Sequence, residues 1–162
     1  MGVTSFTHLR VLIVDDNLTM RDLLKRLLGS LGVREIVQAA DGNDAMEALR
    51  LNKFDIVLSD LEMAPMDGIE FTRQIRTAPT SPNPFVPIIM ITGHTETHRV
   101  HAARDAGITE FIVKPITLKN LSARLVEILE RPRPFVRAGG YVGPDRRRKK
   151  RTEPGPMRRK DD

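Results

Sequence analysis

The sequence predicts a five-stranded, doubly wound parallel α/β sheet followed by a disordered basic tail. Two observations predict the sheet. Short β-branched apolar runs alternate with longer segments whose apolar residues recur every three or four positions. The runs are apolar throughout, as parallel strands covered on both faces require. A third observation sets the tail apart. Of the 162 residues, 1–130 carry 14 basic and 17 acidic side chains, whereas 131–162 carry 12 basic and 4 acidic.

Arg10–Val14 is the first strand, ending in Asp15-Asp16-Asn17. Met20, Leu23, Leu24, Leu27, Leu28 and Leu31 then fall at helical spacing, and Gly32 supplies the stop. Ile36-Val37 is the core of a second strand, and Asp41-Gly42 opens a helix with Ala45, Met46, Ala48 and Leu49 on one face. Ile56-Val57-Leu58 is a third strand, ending at Ser59-Asp60. A loop to Gly68 enters a helix containing Ile69, Phe71 and Ile75; the Pro-rich stretch 79–87 then leads to the strand Ile88–Ile91. A helix through Val100–Ala106 stops at Gly107, Phe111-Ile112-Val113 is the fifth strand, and Leu118–Leu129 is the last helix.

There is no cysteine, which excludes disulfides and thiolate metal sites. No apolar run approaches the roughly 18 residues of a membrane span, and Met1–His8 lacks the build of a secretory signal. A soluble, cytoplasmic protein without membrane insertion is expected. No internal repeat is present, and about 120 residues suffice for a core that needs no metal or disulfide.

In a doubly wound sheet, ligands bind beyond the carboxyl ends of the strands. Asp15 and Asp16 end the first strand, Asp60 the third, Thr92 the fourth and Lys114 the fifth. Three neighbouring carboxylates repel one another, and a hard, oxygen-seeking cation such as Mg²⁺ relieves that repulsion. Lys114 adds positive charge and the Thr92 hydroxyl donates to an anionic oxygen. Such a site lets one carboxylate accept a phosphoryl group while the charge that develops is neutralised.

Asp15-Asp16, Asp60 within Asp60-Leu-Glu-Met-Ala-Pro-Met-Asp-Gly68, Thr92-Gly93 and Lys114-Pro115 resemble the signature of response-regulator receiver domains, the CheY-like family, over roughly residues 9–130. The resemblance implies the flavodoxin/CheY-like fold and a phosphoacceptor role for Asp60. It further implies Mg²⁺ held by Asp15, Asp16, Asp60 and the backbone carbonyl of Glu62, with Thr92 and Lys114 on the phosphoryl group. A cis Lys114–Pro115 bond, Phe111 as the aromatic switch, and a histidine kinase or phosphotransfer protein as partner follow from the same likeness. In the family, Pro usually follows the Met directly; here Ala64 intervenes before Pro65, so an altered loop is expected around an intact site.

His94, His98 and His101 have a spacing that could chelate zinc, but a solvated helix face accounts for them more simply. Met20, Met46 and Met90 read as core filler.

The tail, 131–162, holds five Pro and four Gly among 32 residues with few aliphatics, too little apolar surface to fold alone. It could be a solvated charge patch, or bind nucleic acid, anionic lipid or a small phosphorylated ligand. Nine of its twelve cations are Arg, whose planar fork pairs with phosphate or with the O6/N7 edge of guanine. Tyr141 could stack on a base, Gly143-Pro144 turn the chain, and Asp145 accept from guanine beside Arg146, Arg147 and Arg148, with Arg137 upstream. A ligand with two guanines and two phosphates, cyclic di-GMP, would use all of these, and nucleic acid is disfavoured.

The segment Tyr-x-Gly-Pro-Asp-Arg-Arg-Arg at 141–148 resembles the arginine-rich extension of the Cle class of CheY-like proteins. That likeness implies cyclic di-GMP binding by the tail, docking at a flagellar motor switch protein through the face near Phe111, and control of motility and surface attachment. The alternative is a single-domain phosphorelay regulator whose tail binds polyanions nonspecifically. An enzyme is not expected, because self-phosphorylation is stoichiometric.

Overall fold

The computed structural model describes residues 4–93 and 97–146, the side chains of residues 97 and 98 excepted. Five parallel strands, β1 (Arg10–Val14), β2 (Glu35–Ala39), β3 (Ile56–Asp60), β4 (Ile88–Thr92) and β5 (Glu110–Val113), stand in the order β2-β1-β3-β4-β5. Helices α1 (Leu18–Ser30), α2 (Gly42–Leu51), α3 (Gly68–Thr77), α4 (Thr97–Ala106) and α5 (Leu118–Glu130) follow the strands in turn.

Successive side chains of a strand point to opposite faces, so the continuously apolar runs build two cores at once. Val11, Ile13, Ile56, Leu58, Ile89 and Ile91 pack on one face against Leu24 and Leu28 of α1 and Leu121, Leu125 and Ile128 of α5. Leu12, Val14, Val57, Ile88 and Met90 pack on the other against Ala45, Leu49, Phe71, Ile75 and Ala103 of α2, α3 and α4. Met90 is buried, and Met20 and Met46 lie against these cores, as the sequence reading has it. β2 is an edge strand, so its Val37 is exposed rather than interior. Asn17, Asp41, Asp67 and Thr117 each cap the helix that follows through a backbone N–H.

The tail requires a correction. Up to residue 146 it is not disordered: Phe135–Ala138 (β6) and Tyr141–Pro144 (β7) form an antiparallel hairpin laid on α3 and α4. Gly139 and Gly140, with φ of 50° and 83°, make the two-residue turn whose twist suits a hairpin. The segment has too little apolar surface to fold alone, and it borrows a partner instead. Gly143 and Pro144 are buried, with the Gly143 backbone pressed on Gly107 at the end of α4. Residues 147–162, including Arg147 and Arg148, lie outside the described residues.

Beneath the hairpin is Arg76 of α3, only 1 % exposed. Its Nε donates to Gly107 O at 2.9 Å and its Nη1 to Pro84 O and Val86 O at 2.9 and 2.7 Å. The Phe135 ring centroid lies 4.8 Å from the guanidinium carbon, and Phe85 meets Phe135 edge-on at 5.4 Å. Burial lowers the Arg76 pKa to about 9, which leaves it a cation at neutral pH held by carbonyl dipoles and a ring face. One buried cation thereby ties α3, the 79–87 connection, the end of α4 and β6 together.

Gly107 has φ +106°, and a Cβ there would come within 2.6 Å of Val142 O. Gly107→Ala is therefore expected to cost about 1–2 kcal/mol for the left-handed backbone, plus a further loss from displacing the hairpin. A chain ending at Glu130 should suffer the first, with the crowding of Arg76 Cγ and Nε at 3.0 and 3.1 Å, but not the loss from the hairpin. Urea unfolding of both lengths, with and without the substitution, measures the difference. Equal penalties would show that the hairpin does not rest on Gly107.

Candidate functional site: an acidic pocket at the strand ends

Strands β1, β3, β4 and β5 are consecutive in the sheet, so their carboxyl ends stand side by side. Asp15 follows β1, Asp60 and Thr92 end β3 and β4, and Lys114 follows β5. Asp15, Asp60 and Thr92 are buried, whereas Asp16 is exposed. One carboxylate oxygen from each of Asp15, Asp16 and Asp60 lies within 4.8 Å of the others. Lys114 Nζ stands 3.1 Å from Asp60 Oδ1, an ion pair by distance whose direction does not suit a hydrogen bond.

The surrounding backbone fixes these groups. The Asn17 N–H donates to Asp15 Oδ1 at 2.9 Å, and the Ala64 N–H to Asp16 Oδ2 at 3.1 Å. The second bond draws the β3–α3 loop over the pocket. That loop carries the expected alteration, a cis Ala64–Pro65 bond, and Lys114–Pro115 is cis as well. The Glu62 side chain pairs with Arg99 of α4 at 3.1 Å.

Burial pushes the Asp15 pKa up to about 6, opposed by the Asn17 N–H and reinforced by the charge of Asp60. Burial raises Asp60 also, against the pull of Lys114. Two buried acids beside a third carboxylate form a set of hard oxygen donors whose crowding a divalent cation would relieve. The donor set fits Mg²⁺.

Other residues singled out in the sequence fall elsewhere. Phe111 is half-buried against the α4-side core, and its carbonyl accepts from Arg124 Nε at 2.9 Å. Nothing in the sequence pointed to Arg124, because the bond joins β5 to α5 through the tertiary fold. His101 is exposed, whereas the side chains of His94 and His98 lie outside the described residues. In the hairpin, Arg146 lies over Tyr141 at 4.6 Å, and the Tyr141 hydroxyl donates to Pro144 O at 2.8 Å. The Asp145 N–H donates to Pro134 O at 2.7 Å. Arg137 pairs with Val142 and Ala138 with Tyr141, so strand alternation sends Arg137 and Tyr141 to opposite faces. Arg137 lies instead by the Phe85 ring, at 5.6 Å. The structure thus brings Tyr141 and Arg146 together and sets Arg137 apart from them.

Residues 11–126 match the family model for the response regulator receiver domain. The chain belongs to that family. Chemotaxis protein CheY-3 of Vibrio cholerae is 36 % identical over 124 residues, covering 76 % of this chain and 94 % of that one. The solved V. cholerae chemotaxis protein CheY4 superposes with a TM-score of 0.68 at 32 % identity, covering 74 % of this chain and 98 % of the other. The receiver domain of the Pseudomonas aeruginosa sensor histidine kinase PA1611 gives a TM-score of 0.66 at 28 % identity over 74 % of this chain and 95 % of its own. That structure has a magnesium ion coordinated in its active-site cleft. The protein is a CheY-like receiver of two-component signalling, a class that binds Mg²⁺ in its acidic site. The family match ends at residue 126, before the hairpin begins. Among the described residues, no helix is long and apolar enough to cross a membrane.

With its pKa raised from 3.8 to about 6, native Asp15 binds a proton more tightly than the unfolded chain does. Its contribution therefore weakens the metal-free protein as pH rises through that window. Asp15→Asn keeps the acceptor for Asn17 and removes the charge. We expect it to stabilise the metal-free protein at pH 7.5 by on the order of 1–2 kcal/mol, and by little at pH 4. Mg²⁺ should raise the urea midpoint of the parent protein at pH 7.5 and leave the variant nearly unchanged. A variant less stable than the parent at pH 7.5 would contradict this assignment.

Proposed function

We propose that Asp60 is a phosphoacceptor and that the arginine-rich tail binds cyclic di-GMP, making the protein a CheY-like regulator acting at a flagellar motor switch protein. The juxtaposition of Asp60, Lys114 and two further carboxylates on adjacent strand ends carries the first part. In phosphoryl transfer, an Asp60 oxygen forms the new bond to phosphorus as the donor's bond to it breaks, giving an acyl phosphate. Mg²⁺, when bound, would offset charge on the transferring group. Lys114 supplies a second positive charge next to Asp60, and Thr92, at the end of the neighbouring strand, offers a hydroxyl donor. A histidine kinase or phosphotransfer protein would be the donor.

The stacked pair Tyr141–Arg146, directly ahead of Arg147 and Arg148, supports the second part. An aromatic face and a guanidinium fork are what guanine and phosphate recognition use. The face around Phe111 would meet the motor protein, in keeping with the likeness to chemotaxis proteins. The alternative, a relay regulator with a polyanion-binding tail, differs in being indifferent to the choice of Arg or Lys.

Acetyl phosphate with Mg²⁺ is expected to add one phosphoryl group at Asp60, and none in Asp60→Asn, by intact-mass and peptide mass spectrometry. Failure of the parent protein to react would remove the phosphoacceptor role. In calorimetry with cyclic di-GMP, replacing Arg146, Arg147 and Arg148 together by Lys keeps the charge and should weaken binding at least about tenfold, roughly 1.4 kcal/mol. Asp145→Ala makes the tail more positive yet should also weaken binding. Tighter binding by Asp145→Ala, with the Lys variant unaffected, would leave an ordinary polyanion patch.

A further inference from the structure

The hairpin does more than cover α4: it walls off a cleft. Between α4, β5, α5 and the hairpin lies a cavity of about 660 Å³, within the range of pockets that hold small-molecule ligands. Four arginines line it, each from a different element: Arg104 of α4, Arg124 of α5, Arg133 from the approach to β6, and Arg146 just beyond β7. Only two lining carboxylates oppose them. Arg146 Nη1 pairs with Asp105 at 2.7 Å, and Arg133 Nη2 stands 3.8 Å from Glu110. Arg104 and Arg124 have no carboxylate partner among the described residues, and Arg124 is held in place by the Phe111 carbonyl. The wall therefore carries an excess of two positive charges around an open, ligand-sized space. His101 and Thr109 add further polar groups, and Ile108 and Phe111 give it apolar surface.

We infer that this cleft is a binding site for the two phosphodiester groups of a cyclic dinucleotide, with Arg104 and Arg124 of the receiver as ligand contacts beside Arg133 and Arg146. Two phosphodiesters carry two negative charges, matching the uncompensated pair. The Tyr141–Arg146 stack lies at the rim, where a base leaving the cleft would find an aromatic face and a guanidinium plane. The site is thus composite, built partly from the tail and partly from the receiver body. An acidic protein surface would suit the charge, but a concave cleft of this size walled on one side by the hairpin suits a small ligand better. The inference rests on the cyclic di-GMP reading above and adds to it where the phosphates go.

The test uses the full chain and calorimetry with cyclic di-GMP. Arg104 makes no ion pair among the described residues, so Arg104→Gln removes a ligand contact without breaking an internal one. We expect Arg104→Gln to weaken binding about five- to tenfold and Arg104→Gln with Arg133→Gln by more than about tenfold, as loss of charge-assisted contacts predicts. Arg50→Gln on α2 makes the same change in net charge away from the cleft and should alter affinity less than about twofold. Amide and side-chain NMR shifts of Thr109, Phe111 and Arg124 should move on titration. Binding that survives Arg104→Gln with Arg133→Gln, or that responds equally to Arg50→Gln, overturns the cleft and leaves the tail as the whole site. No binding by the parent chain overturns the dinucleotide reading itself, and the cleft assignment with it.

Discussion

The central strands β1, β3 and β4 are covered on both faces, and that constraint governs the rest of the molecule. A strand sealed on both sides can expose polar side chains only where it ends. The acids, the hydroxyl and the lysine are therefore driven to one rim of the sheet, where the adjacency of β1, β3, β4 and β5 compresses them into a single pocket. The pocket stores unfavourable electrostatics as a result. Asp15 and Asp60 are buried as potential anions, and their raised pKa values record the cost of desolvating them. The apolar core on either side holds that arrangement together, and a cation that offsets the local charge would relieve it.

A second constraint operates at the opposite charge. Arg76 is a guanidinium buried without a counter-ion among the described residues, held by three carbonyls and a phenyl ring. Carbonyl dipoles and a π face stabilise a cation less than a carboxylate would, but they come from three separate segments. The arginine consequently gives the hairpin a specific seat instead of a general electrostatic attraction. The basic character of the tail hides this, since its first contribution to structure is Phe135 and the Gly143 backbone rather than its charge.

The extension changes what the receiver surface offers. β7 packs on α4 and α3, and Arg133 and Arg146 reach toward Glu110 and Asp105. The α4–β5–α5 side thus gains two arginines, Arg133 and Arg146, from beyond the receiver match, which ends at residue 126. Phe111 lines the cleft from β5, the strand leading to Lys114. The acidic pocket and the basic cleft are therefore joined by one short strand.

The sequence alone determined the parts governed by local pattern. Short uninterrupted β-branched runs bounded by turn signals read as strands, the helical spacings follow, and acids at the ends of adjacent strands converge once the sheet is parallel. That is why Asp15, Asp16, Asp60, Thr92 and Lys114 were legible from their spacing. The hairpin had a legible signal too, a Gly-Gly pair between short apolar runs, but the surrounding Pro and Arg argued against any core. Only the tertiary structure decided that question, because the packing partner of Phe135 and Gly143 is not in the tail. It is Arg76, Phe85 and Gly107, residues 36 to 59 positions upstream. The cleft arginines were equally hidden. Their number could be counted in the sequence, but which of them lack a counter-charge depends on side chains from four elements meeting in space.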